Sequence, residues 1–168
     1  MLLIALSIVG YQRYQEVQHE NDQWKLFLNH FYYSVDQSIS RMDTMIERNP
    51  EGERLVEWMH DLEVDLMQSQ DVLKHTHMFL ESDLLDPNFF ESASAFLPIL
   101  TEDGELDEEE IDAMTDLRNR WAEVRDWMYS EETGQENREL ELEDMNAMIQ
   151  EKLPLHGGYE FYRPLEND

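Results

Sequence analysis

The feature that most narrows what this chain can fold into is one long seam. With Tyr14 as an a position of a heptad, the a sites read Tyr14, Asn21, Leu28, Val35 and Met42, and the d sites Val17, Trp24, Phe31, Ser38 and Met45. Eight of these ten are apolar or aromatic, and Phe27, Tyr32, Ile39 and Ile46 widen the stripe. A stripe of this width at helical period needs a second element to cover it. That element comes next in the chain. "RNPEGE" interrupts the pattern at Asn49-Pro50, with Pro50 suited to a first helical turn. Leu55, Met59, Leu62, Leu66, Ser69, Leu73, Thr76 and Leu80 then repeat the seam. Two amphipathic stripes joined by a short turn predict an antiparallel helical hairpin.

The remaining segments extend the same architecture. Pro87 and Pro98 bracket Phe89, Phe90 and Phe96, which predicts a short helix laying aromatics across one end of the hairpin. From Asp107 a third long helix carries Ile111, Met114, Leu117, Trp121, Val124 and Met128. "SEETGQEN" reads as an acidic linker, and a last helix is expected over 137–152, with Leu140, Met145, Met148, Ile149 and Leu153 inward. The expected fold is all-α: an antiparallel helical bundle over 12–153, made of a long hairpin, two further helices and one short helix. The 6 glycines and 5 prolines sit mostly at these breaks, which argues against a turn-rich β class. Residues 154–168 form an aromatic tail, whose Tyr159, Phe161 and Tyr162 either dock on the bundle or face a partner.

Charge sets the surface character. The chain carries 39 acidic and 12 basic residues, a net of −27. The imbalance is steepest over 101–150, which holds 18 acids and 4 bases. Such a surface repels phosphates, so neither nucleic acid nor anionic lipid headgroups are expected as direct partners. It attracts basic proteins, and Glu105, Glu108 and Glu109 are the candidate contact residues beside the aromatic tail. Cysteine is absent, which excludes disulfides, thiol nucleophiles and thiolate metal sites and fits either side of a bacterial membrane.

Catalytic signatures are missing. There is no Gly-x-Ser-x-Gly elbow, no phosphate-binding glycine loop and no His-Glu-x-x-His. Glu16/His19 and Glu57/His60 have the Glu-x-x-His spacing of di-metal bundles, but the heptad frame puts all four on outer positions and at different levels of the hairpin. His75 and His77 are two apart, a spacing that points them away from each other on a helix. "ILTEDGELDEEE" resembles the second half of an EF-hand calcium loop, with Gly104 at the sharp turn, Asp107, and Glu110 at the closing position. Ile99 would then stand at the first ligand position, where it offers no oxygen. The simpler reading makes Asp103-Gly104 a turn and Asp107 a helix cap, with Glu108 to Glu110 complementing the helix dipole. No metal, cofactor or enzymatic activity is expected.

"MLLIALSIVGYQRYQ" decides where the protein works. Residues 1–11 are apolar on every side and then meet Tyr11, Arg13 and Tyr14, the pairing a membrane interface selects. At about 15 Å of helix the stretch reaches only half of a bilayer core. It also lacks the basic n-region and cleavage site of a secretory signal. Three readings follow: the end of a single-pass anchor that starts upstream, a short insertion into one leaflet or a membrane protein, or a buried helix start. The membrane is preferred, with Leu2, Leu3, Ile4, Leu6, Ile8, Val9 and Tyr11 as contacts and the acidic domain on the extracytoplasmic side. The expected function is a non-catalytic, membrane-tethered binding or scaffolding module for a protein partner, itself basic or membrane-embedded. The alternative is a soluble acidic mimic of nucleic acid that occupies the groove of a DNA-binding protein.

Overall fold

The structure is a computed structural model and describes residues 2–79, 97 and 104–152. It contains α1 (Leu2–Arg48), α2 (Glu53–Phe79), α3 (Glu108–Trp127), the two-residue strands β1 (Tyr129–Ser130) and β2 (Gln135–Glu136), and α4 (Leu142–Lys152). The chain forms the all-α bundle that its periodicity predicts. The α1–α2 turn falls at Asn49-Pro50 as the sequence suggests, but α2 begins only at Glu53, so Pro50 lies in the turn and does not open the helix. Asn49 takes φ 38 and donates its N–H to the Met45 carbonyl at 2.8 Å, which closes α1. Asparagine tolerates this left-handed geometry better than a branched residue. Gly52 follows at φ 59 and donates to the Gly104 carbonyl at 2.7 Å, tying the turn to the loop that leads into α3.

Polar cross-links set the direction and register of the helices. Gln37 and Arg41 of α1 reach Asp65 of α2, and Arg41 also reaches Asp61 at 2.9 Å, so these helices run antiparallel. Arg118 of α3 pairs with Asp43 at 2.7 Å, and Arg125, two turns on, with Asp36 at 3.4 Å. α3 is therefore also antiparallel to α1, and α1 packs against both neighbours. The core is the expected seam: Leu28, Phe31, Val35, Met42 and Met45 of α1, Leu55, Leu62, Leu66 and Leu73 of α2, and Met114, Leu117, Trp121 and Val124 of α3 are all buried. Ser38 and Ser69 are buried as well. Each turns its hydroxyl back to its own helix, on the carbonyls of Ser34 and Asp65, so neither hydroxyl is stranded.

Asp107 starts α3 as its position predicts. Its Oδ1 accepts from the Glu110 N–H at 2.9 Å, and Glu110 Oε2 accepts from the Asp107 N–H at 2.8 Å. Such a reciprocal cap contributes about 1 kcal/mol. Gly104, at φ 77, makes the turn before it.

Three expectations need correction. "SEETGQEN" is a tight hairpin, not a linker: Tyr129 pairs with Glu136 and Ser130 with Gln135, and Gly134 supplies the φ of 68 the turn requires. The last helix starts at Leu142 rather than 137, because Asn137 directs a local turn instead. Its N–H donates to Met128 at 2.6 Å, its Oδ1 accepts from the Glu139 N–H, and its carbonyl accepts from the Leu140 N–H. The seam sites Tyr14, Val17 and Asn21 are exposed, Tyr14 and Val17 at 63% and 51%. The short helix expected between Pro87 and Pro98 lies outside the described residues, apart from Leu97, which is buried. The tail 154–168 lies outside them too.

Candidate functional site

Carried along both helices, the α1–α2 register brings Phe79, the last described residue of α2, about level with Gln23. Every residue from Gly10 to Asp22 is exposed. From Gly10 to Asp22 α1 thus projects from the bundle, on a helix whose backbone runs about 30 Å from Leu2 to Asp22. Tyr11, at 63% exposure, stands on this projection. The side chains of Leu2, Leu3, Ile4, Leu6, Ile8 and Val9 lie outside the described residues, although their backbone continues α1 without a break. Among the described residues, no helix is long and apolar enough to cross a membrane.

Where the projection meets the bundle, a cleft of about 810 Å³ opens between α1 and the segment that leads into α4. Trp24 and Leu140 are its buried apolar members, joined by a 2.6 Å hydrogen bond from the Trp24 indole Nε1 to the Leu140 carbonyl. Glu16, Glu20, Glu139, Glu141 and Glu143 line it with Lys25 and Arg138. A buried indole N–H usually finds an acceptor, so Trp24 at a d site points to one. Nothing local identifies a carbonyl 116 residues away.

β2 anchors this end through a buried carboxylate. The Glu136 side chain is fully shielded, and its Oε1 accepts from Arg138 Nε at 2.8 Å. Burial by itself pushes this carboxyl up, but hydrogen bonding from Arg138, then Asn29, outweighs it and holds the group below its ordinary 4.5. A depressed native value means the charged form stabilises the fold above pH 4.5, and that stabilisation is lost as pH falls through the lower native value. The stability difference between wild type and Glu136→Gln, from urea titrations, should therefore be constant above about pH 5.5 and shrink steadily below 4.5. A difference that does not change from pH 7 to pH 3 would contradict the paired carboxylate. Using the difference removes the opposing effect of relieved repulsion across a chain of −27.

The other candidate residues are dispersed. Glu105, Glu108 and Glu109 are exposed at the start of α3, beside the α1–α2 turn and at the opposite end of the bundle from the cleft. Tyr159, Phe161 and Tyr162 lie outside the described residues. Glu16, His19, Glu57 and His60 are exposed, as the heptad frame predicts. His19 contacts Gln23 at 3.2 Å, and His60 contacts Glu63 at 3.7 Å. Among the described residues no three histidines, aspartates or glutamates are grouped to hold a metal. In the loop that resembles half of an EF-hand, the Asp107 and Glu110 side chains are engaged in the α3 cap. Comparison of the chain with known protein families, curated proteins and solved structures gives no match.

Proposed function

We propose that the chain is a non-catalytic, acidic helical binding module, held at the extracytoplasmic face of a membrane by its N-terminus and engaging a basic protein partner. One observation supports the tether: α1 runs about 30 Å beyond the level of Phe79, the last described residue of α2, and is exposed at every position from Gly10 to Asp22, towards a stretch that the sequence makes apolar around its whole circumference. A projection of this polarity gains little from standing in water alone, since most helical stability in proteins comes from packing an apolar face. Seating Leu2, Leu3, Ile4, Leu6, Ile8 and Val9 in an apolar phase supplies that packing, at about 1.5–3 kcal/mol for each large side chain fully buried. Tyr11 and Arg13 then fall at the interface. The strongly negative domain beyond them stands off from anionic headgroups and is open to a basic partner.

Flotation of the full chain with phosphatidylcholine vesicles tests the tether. The wild type should float, and Leu3→Glu with Leu6→Glu should reduce the bound fraction at least about tenfold, since each charge opposes entry into hydrocarbon by about 2.5 kcal/mol or more. Adding anionic lipid should weaken binding. A wild-type chain that stays in the aqueous fraction at every lipid concentration would remove the tether. The soluble acidic mimic of nucleic acid would then be the better reading.

A further inference from the structure

We propose that the outer face of α2 between Glu53 and Met67 is the docking surface for the basic partner, and that it takes an amphipathic helix with cationic flanks. The inference rests on the binding-module reading above and names the surface and the chemistry of its occupant.

The observation is a misplaced set of side chains. Val56, Val64 and Met67 are among the few large apolar residues the fold leaves exposed, at 56%, 43% and 49%. Their spacing of eight and then three residues puts them on one face of α2, away from the buried seam of Leu55, Met59, Leu62 and Leu66. Scattered exposed apolar residues need no explanation, but an aligned row does. Valine at a solvent-facing helix position is doubly unfavourable, because it loses side-chain freedom in the helix and hydrates poorly. Most other exposed positions of α2 carry charge or amide groups, so this row is not drift towards hydrophobicity along the whole helix. Val56, His60 and Val64 form an i, i+4 ridge of the kind that seats in the groove of a crossing helix.

Charge selects the occupant. Glu53, Glu57 and Glu63 border the row, and α2 belongs to a chain of net −27. A second copy packed α2 against α2 would set these glutamates against their own images, and an anionic lipid surface would meet the same repulsion. A helix with an apolar stripe and flanking lysines or arginines satisfies both the row and its border.

The full chain is titrated with an 18-residue helical peptide of leucine and lysine, with leucines at i, i+3, i+4 and i+7, and with a scrambled peptide of the same composition. The striped peptide should bind at low salt and lose affinity as salt rises, and the scrambled one should bind at least about tenfold more weakly. Val56→Gln, Val64→Gln and Met67→Gln together place a good helix former at each exposed site and should leave the circular dichroism unchanged and the unfolding midpoint no lower. They should weaken the striped peptide about 30-fold and hardly affect the scrambled one. Equal affinity of the triple variant and the wild type overturns the assignment. If Glu105→Gln, Glu108→Gln and Glu109→Gln weaken binding instead, docking lies at the start of α3; the inference fails and the binding-module reading stands. If the striped peptide does not bind even at low salt, the basic-partner reading fails with it. Wild-type self-association in sedimentation equilibrium without peptide, abolished in the triple variant, would assign the face to a second copy and overturn the proposal.

Discussion

Trp121→Ala should lower the free energy of unfolding by about 4 kcal/mol, the largest single effect expected among the described residues. The indole is completely buried, in the core shared by α1, α2 and α3. Alanine in its place loses the transfer free energy of the ring and leaves a cavity that neighbouring helices, pinned by the Arg118–Asp43 and Arg125–Asp36 pairs, close only in part. A chain of this size is stable by only about 5–15 kcal/mol, so the variant should unfold at a markedly lower urea concentration. Trp127→Ala, at a partly buried site on the same helix, should lose less than half as much. A loss below about 1.5 kcal/mol for Trp121→Ala would mean that α3 is not part of the cooperative core.

Asp65→Ala should be nearly as damaging, at about 3 kcal/mol, for an electrostatic reason. The Asp65 carboxylate is 5% exposed and accepts from Gln37 Nε2 at 2.7 Å and from Arg41 Nε, so its loss leaves the guanidinium facing a buried gap, while the exposed Gln37 can turn its amide to water. Part of Arg41 reaches water, which limits the penalty. Asp61 bonds the same guanidinium at 2.9 Å but is 48% exposed, and Asp61→Ala should cost under about 1 kcal/mol. Thermal or urea unfolding of the two variants separates buried satisfaction from surface pairing; equal losses would refute the distinction. The two aspartates are one turn apart on α2 and of identical chemistry, so burial, with the Gln37 bond that Asp65 alone is shown to accept, makes their expected effects differ.

Most of the fold is legible in the chain because the period of its apolar residues is set by helix geometry and holds without knowledge of any neighbour. The seam from Leu28 to Met45, its echo from Leu55 to Leu73, and the Asp107 cap are local patterns, and the structure contains each of them. The failures are equally local. "SEETGQEN" has the composition of a linker, yet Gly134 and the Asn137 turn close it into a hairpin whose Glu136 then becomes buried. That burial depends on Arg138 and Asn29, and the α1 residue is more than a hundred positions away in the chain.

The sequence by itself determined the helical class, the inward stripe of each long helix, the −27 surface and the outward His19 and His60, because periodicity and charge are properties of one segment at a time. Only the tertiary structure decided where the seam stops being covered, which of two aspartates one turn apart is sealed from water, and that Trp24 finds its acceptor in Leu140. It alone shows that Val56, Val64 and Met67 stay exposed in one row while equally apolar neighbours are buried. Coverage is a relation between segments far apart in the chain, set by helix lengths and register, and no single stretch contains both partners.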